Sequence, residues 1–365
     1  MARVIKMTQG MAVAAAFVVI GSAAAAATPT VNCDTPGQSI SGAIAALNPS
    51  PYYQIINVSG KCKENIYIPP ELAVTLVAAE GTRLLPATIT SATVDVEGRL
   101  VAENIYIETG SFAGFYVNAG GFGTLIGGTI EGAGSGVQVA DNSGALLQDT
   151  MIKVTGSAAV SLYANGSLEV DGVAGLFGRN GVSIASIASG GIGIFCGQGN
   201  VTLSTKGGGD ISLKENGFAG ISAIGCNVKV NASAANPVTI DRTGVAGKNS
   251  DGIVLQGGSA TLNGVRIIQN LGNGLDAYEN ASVALQGDGL EIEGNLGAGI
   301  LAAQGATVHI VPYNGINTIA QGGSDSNPLF ACYQGGNIYV DQIAGTITPA
   351  PTKATLGCLT VGAPQ

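Results

Sequence analysis

The sequence predicts an all-β protein: a parallel β-solenoid, a three-sheet rod of about 10 coils with a short helix closing its N-terminal end. Three observations predict it. Residues 251–310 repeat one plan nearly three times: a Gly-aliphatic pair opens a short strand, a small-residue turn follows, a second alternating strand comes next (Ala260 to Leu262, Val283 to Leu285, Val308 to Ile310), and a Gly-containing turn leads into a third (Val265 to Ile267, Leu290 to Ile292). The Gly-aliphatic mark recurs outside that stretch, at Gly114-Phe115, Gly136-Val137, Ala159-Val160, Gly181-Val182, Gly220-Ile221, Gly252-Ile253, Gly274-Leu275 and Gly299-Ile300, in steps of 22, 23, 22, 39, 32, 22 and 25 residues. Finally, 57 glycines fall at turn positions in a chain only 11% charged, so the glycine is architectural. No coil of this kind can bury its own apolar face, and each must stack on a neighbour about 4.8 Å away through main-chain hydrogen bonds.

The elements follow in order. Residues 1–27 carry Arg3 and Lys6, an apolar run and then small residues from Ser22 to Ala27, the layout of a secretory signal peptide. Residues 28–62 read as an N-terminal cap: Ile40, Ala43, Ile44 and Leu47 share one helical face behind Ser39 as N-cap, and such a helix would cover the open apolar disc of a solenoid. Residues 63–345 read as the coils, the early ones less regular (Val94 to Val96, Ile105 to Ile107, Thr124 to Ile126). The 39- and 32-residue steps need either enlarged turns or an additional coil, for which Gly193-Ile194 followed by Val201 and Leu203 is suited. Residues 346–365 form a tail in which Pro349 and Pro351 discourage ladder pairing.

An even cysteine count in an exported chain points to disulfides, and six cysteines allow 15 pairings. The simplest is nearest-neighbour: Cys33 with Cys62 at the cap, Cys196 with Cys226 across neighbouring coils, and Cys332 with Cys358 at the tail. A metal centre is a poor reading, with no Cys-x-x-Cys and a single His. Without the first 27 residues, 13 basic side chains face 24 acidic ones, a net charge of −11, which argues against nucleic acid and anionic membrane as partners. No later segment could span a membrane as a helix, and export to the periplasm, cell surface or exterior is expected.

The pattern Cys33…Ser39-Ile…Ala43-Ile44…Ile56-Asn-Val-Ser-Gly-Lys-Cys-Lys-Glu-Asn-Ile66, then Val74-Thr-Leu76, leading into coils of the type Gly-Ile-x-Leu…Ser-x-Val-x-Leu…Val-x-Ile-x-x-Asn, resembles the exported right-handed parallel β-helix proteins of the pectate-lyase-like superfamily. The resemblance covers nearly the whole chain after residue 27 and implies a fold more than a chemistry. It implies polysaccharide as the ligand class, and a functional surface on the first sheet and the turns before it. The outward residues expected there are Gln138, Ser161, Ser183, Ser222, Val254, Asp276 and Leu301, of which only Asp276 is charged. A uronate lyase would need a carboxylate cluster for calcium and a basic proton acceptor. A hydrolase would need paired carboxylates, and the Gly-His-Gly and Arg-Ile-Lys segments usual in such families are missing.

Asp251, Asp276 and Glu279 are the candidate catalytic carboxylates, since they fall on neighbouring coils at or near the first sheet. His309 alternates with core aliphatics and reads as an outward strand residue; Gln148-Asp149-Thr150 resembles a fragment of the pectin-esterase pattern but, without the companion Asp-Phe-Ile-Phe-Gly-type segment, reads as a chance match. Arg266 and Glu291 should pair on the surface. Asn216, Asn270 and Asn295 each stand four residues before a marked Gly and should form a ladder in stacked turns. Two functions remain open. One is a non-catalytic surface, matrix or periplasmic scaffold binding a glycan or a protein, with no cofactor. The other is a polysaccharide lyase or glycoside hydrolase, with calcium a cofactor only in the lyase case.

Overall fold

A computed structural model describes residues 28–174, 181–244, 250–311, 317–320, 329–340, 345–348 and 359–361. The fold is a parallel β-solenoid of about 11 turns. Each coil contributes three strands, and the faces they build are called here the first, second and third sheets. In the coil beginning at Asp251 these strands are Asp251–Gln256, Ser259–Asn263 and Val265–Ile268. The third sheet is a separate ladder of 12 strands, whereas the first and second join into one of 23. They join because Ala158–Asp171 and Ile192–Ser204 run unbroken around the corner between them. Ile253 pairs in register with Leu275, and Leu275 with Ile300. All three are fully buried, so the glycine-marked segments are successive rungs over one aliphatic interior.

Why a glycine precedes each aliphatic residue is visible at the corner where the first strand begins. A β-carbon on Gly252 would lie 2.4 Å from Ile267 Cγ2 of the same coil, 2.7 Å from the carbonyl of Gly274 on the next, and 2.9 Å from Asn270 Nδ2. Gly274 meets the equivalent trio, Ile292, Gly299 and Asn295. The mark is therefore a packing requirement where the third strand's isoleucine closes on the first strand of its own coil.

Gly181-Val182 satisfies the same dipeptide for a different reason. Its strand, Gly181–Ser186, belongs to the third sheet, pairing with Met151–Val154. Gly181 has φ +118°, and a β-carbon there would strike the Asp210 carbonyl at 1.9 Å. The first-sheet partner of Val160 is Ile194, behind Gly193. This corrects the expected outward residue: Phe195, not Ser183, follows Ser161. Two earlier first-sheet strands, Ile66–Ile68 and Val94–Val96, carry no glycine mark. Side chains fill its place, with Asn65 Nδ2 donating to the Ala92 carbonyl at 2.7 Å and Thr93 Oγ1 to the Glu108 carbonyl at 2.6 Å.

At the N-terminal end the helix Ile40–Ala45 starts from Ser39, whose Oγ accepts from Gly42 N at 3.0 Å. Glu64 accepts from Ile40 N and Ser41 N, both at 2.8 Å, placing a carboxylate where the helix leaves its first amides unpaired. Ile40 and Ile44 are buried, with Ala43 and Leu47 packed against the core. Cys33–Cys62 and Cys196–Cys226 are disulfides with Cα separations of 4.9 and 6.2 Å. Cys358 and the signal-like segment 1–27 lie outside the described residues. Strands Gly345–Thr348 and Leu359–Val361 carry the ladders past residue 346, where a tail without pairing was expected. Among the described residues no helix is long and apolar enough to cross a membrane.

Candidate functional site

The outer column of the first sheet is the surface on which the sequence places the candidate chemistry. Its register runs Tyr67, Asp95, Tyr116, Gln138, then Ser161, Phe195, Ser222, Val254 and Asp276, one residue per coil. Ser161, Ser222 and Val254 point outward yet are less than a tenth exposed. Neighbouring side chains shield them, and the column is a shielded outer face, called here the groove. Rings rise beside it: Tyr163 leans on Phe195 with centroids 5.5 Å apart, and Phe112 meets Tyr116 edge-on at 5.4 Å.

Asp251 opens its strand two residues before Ile253, and its Oδ1 accepts from the backbone N–H of Asn273, the equivalent residue one coil on. Asn273 Oδ1 in turn accepts from Ala298 N at 2.8 Å, again the equivalent position. Asp251 and Asn273 thus do one job on successive coils, and that job is structural. Burial raises the Asp251 pKa, with the Asn273 bond opposing it. Glu279 sits at the corner between first and second strands with φ +53°, and its Oε2 accepts from Gln256 Nε2 at 2.8 Å.

Asp276 differs from both. It is half-buried, follows Val254 in the floor, and receives no hydrogen bond among the described residues. Burial, and then the charge of Asp251, push its pKa up to about 6. The structure brings the three carboxylates into one neighbourhood centred on Tyr278. That phenol's pKa is raised by its own burial and by Asp276, Glu279 and Asp251 in that order, and its hydroxyl donates to Gln256 Oε1 at 3.3 Å. Tyr278 was not anticipated, although its position two residues after Asp276 on an alternating strand puts both on the outer face. Among the described residues, the one group of three His, Cys, Asp or Glu ligand atoms all within 4.8 Å of one another is Cys33, Cys62 and Glu64, whose sulfurs are in a disulfide. The candidate carboxylates do not close to that distance.

A second polar station lies at the other end of the groove, where the glycine mark gave no warning of a first-sheet strand. Asn118 Nδ2 donates to Asp95 Oδ1 at 2.6 Å, and Tyr67 Oη donates to Glu97 Oε2 at 2.7 Å. Burial and then the Glu97 charge raise the Asp95 pKa, against the Asn118 bond. Its hydrogen bond to Glu97, with burial, pushes the Tyr67 phenol up to about 12.

The remaining expectations resolve as structure. Asn270 Oδ1 accepts from Thr243 N at 3.0 Å, Asn295 Oδ1 from Asn270 N at 3.1 Å and Asn270 Nδ2 at 2.8 Å, and Asn216 Oδ1 from Ser186 N at 2.8 Å. All three asparagines are buried, with Thr243 occupying the rung between Asn216 and Asn270. Asp149 and Thr150 are buried turn residues, and Thr150 Oγ1 donates to the Gln148 carbonyl at 2.8 Å. His309 faces outward on the second sheet between Ala284 and Tyr339, away from the groove. Arg266 and Glu291 form a two-pronged ion pair on the third sheet. No family model, curated protein or solved structure matches this chain.

Proposed function

We propose that the protein is an exported, non-catalytic scaffold, of periplasm, cell surface or matrix, whose first-sheet groove binds an extended glycan. The supporting observation is the continuity of the groove floor: one outward residue per coil, lined by rings and amides and crossing at least nine coils from Tyr67 to Asp276. A polymer fits such a floor better than a compact ligand, and tyrosine and phenylalanine offer both flat apolar faces and, for tyrosine, a polar tip. Two disulfides are consistent with export. The resemblance to pectate-lyase-like β-helix proteins points to the same ligand class, and fold analogy alone leaves the activity open. Against catalysis stands the commitment of Asp251 to the coil ladder and of Glu279 to Gln256.

One observation favours the enzymatic reading, a lyase or hydrolase. Asp276, with its pKa near 6 and no internal hydrogen bond among the described residues, is suited to general acid or base work near neutrality. A glycan array together with a reducing-end and unsaturated-product assay, run on the protein lacking residues 1–27 with and without calcium, separates the two. Retention of glycan without new ends supports the scaffold; product formation lost in Asp276→Asn contradicts it.

A further inference from the structure

Charge is distributed unevenly among the three sheets. Strands of the third sheet carry Lys61, Lys63, Arg83, Lys153, Lys214 and Arg266, and strands of the second carry Arg99 and Lys229. No first-sheet strand among the described residues carries a Lys or Arg, while Asp95, Asp251 and Asp276 all lie on that sheet. Among the described strands, the groove is therefore the anionic side, and the cations lie on the other two sheets. Its carboxylates stand beside rings at both stations, Asp95 between Tyr67 and Tyr116, and Asp276 two residues from Tyr278. Seven register steps of ~4.8 Å put the stations about 34 Å apart along the rod.

We propose that the ligand of this groove is a cationic glycan, a polymer of amino sugars with free amines. This rests on the scaffold reading above and narrows it. An ammonium group is the partner that half-buried Asp276 lacks among the described residues: it supplies a charge-assisted hydrogen bond to the carboxylate, and an adjacent tyrosine face attracts the same cation. A uronate polymer brings carboxylates against carboxylates with no basic strand residue to receive them. An extended peptide has no sheet edge to join here, because each first-sheet strand between the ends of the ladder is already paired on both sides. A directly bound divalent ion needs ligand atoms closer together than these carboxylates are. The 34 Å spacing adds a length requirement. An oligomer reaching both stations gains avidity that a short one lacks.

The test is binding by calorimetry to de-N-acetylated hexosamine oligomers, with their fully N-acetylated counterparts, polygalacturonate and oligolysine as comparison ligands, at low and high salt. The expected result is that free-amine oligomers bind at least about tenfold tighter than acetylated ones, that salt weakens them, and that affinity rises once the chain can span both stations. Asp276→Asn and, independently at the other station, Asp95→Asn each reduce that affinity about tenfold, with melting curves showing that both variants are folded. Acetylated or uronate chains binding as well as free-amine chains would overturn the cationic ligand while leaving the glycan scaffold standing. Oligolysine binding in place of any glycan would overturn the sugar and keep the charge, and failure of every carbohydrate would remove the scaffold reading as well.

Discussion

Asp251 and Asp276 show how little residue type says about role. They are one coil apart and both half-buried, yet one holds the next coil's amide and the other holds nothing among the described residues. Because Asn273 already performs the Asp251 task one coil later, Asp251→Asn should keep that bond and shed a partly buried charge. Its thermal midpoint at pH 7.5 should match or exceed that of the parent, and a clear loss in calorimetry would contradict the structural assignment. Asp276 makes a pH-dependent contribution. Its folded pKa of about 6 lies above the ordinary carboxylate value, so the folded chain holds the proton more tightly. Relative stability from this group is complete below about pH 4 and lost as pH rises through 6. The titratable groups around it are Asp251, Glu279 and the Tyr278 phenol. Asp276→Asn should then stabilise by about 1 kcal/mol or less at pH 7.5, allowing for solvent screening, and make no difference at pH 4. Gly252→Ala tests the glycine mark: the added methyl meets an isoleucine and a backbone carbonyl, and a loss of ~1–3 kcal/mol in denaturant unfolding is expected.

At the scale of the element, the coil is held at its corners as much as along its strands. Asn270 serves the amide of Thr243 and bonds Asn295, all within buried turns. Asn270→Leu would leave those groups unpaired, and we expect a loss of ~2–4 kcal/mol by chemical denaturation, larger than for an exposed asparagine such as Asn142. The N-terminal cap depends on Cys33–Cys62, which closes 29 residues of chain, so Cys33→Ser paired with Cys62→Ser should cost ~3–4 kcal/mol and fray the helix first in hydrogen exchange.

Corners also explain what could be read in the sequence. Late coils were legible because their Gly-aliphatic dipeptides, alternating strands and equivalent asparagines recur in phase. Gly181 misled because a turn into the third sheet demands glycine for its backbone angle, and the dipeptide alone does not distinguish that from packing. Tyr67 and Asp95 were missed because Asn65 and Thr93 fill the glycine's place with hydrogen-bonding side chains. One end of the groove was therefore invisible, and the first sheet looked less charged than it is. Asp276 could be nominated from its position, but the want of a donor to its half-buried carboxylate among the described residues is a three-dimensional fact.

For the whole molecule, stacking carries Tyr67, Asp95, Ser161, Phe195 and Asp276 along one line. The groove, its anionic character and the distance between its stations all follow from that register. Paired cysteines test it directly. Parallel neighbours about 4.8 Å apart lie within disulfide reach, so Ser161→Cys with Phe195→Cys should oxidise to a cross-link identified by peptide mapping. Ser161→Cys with Ser183→Cys, the pair implied by glycine spacing alone, should not, because Ser183 lies in the third sheet. The reverse outcome, with Ser161 joined to Ser183 and not to Phe195, would contradict the register and with it the groove.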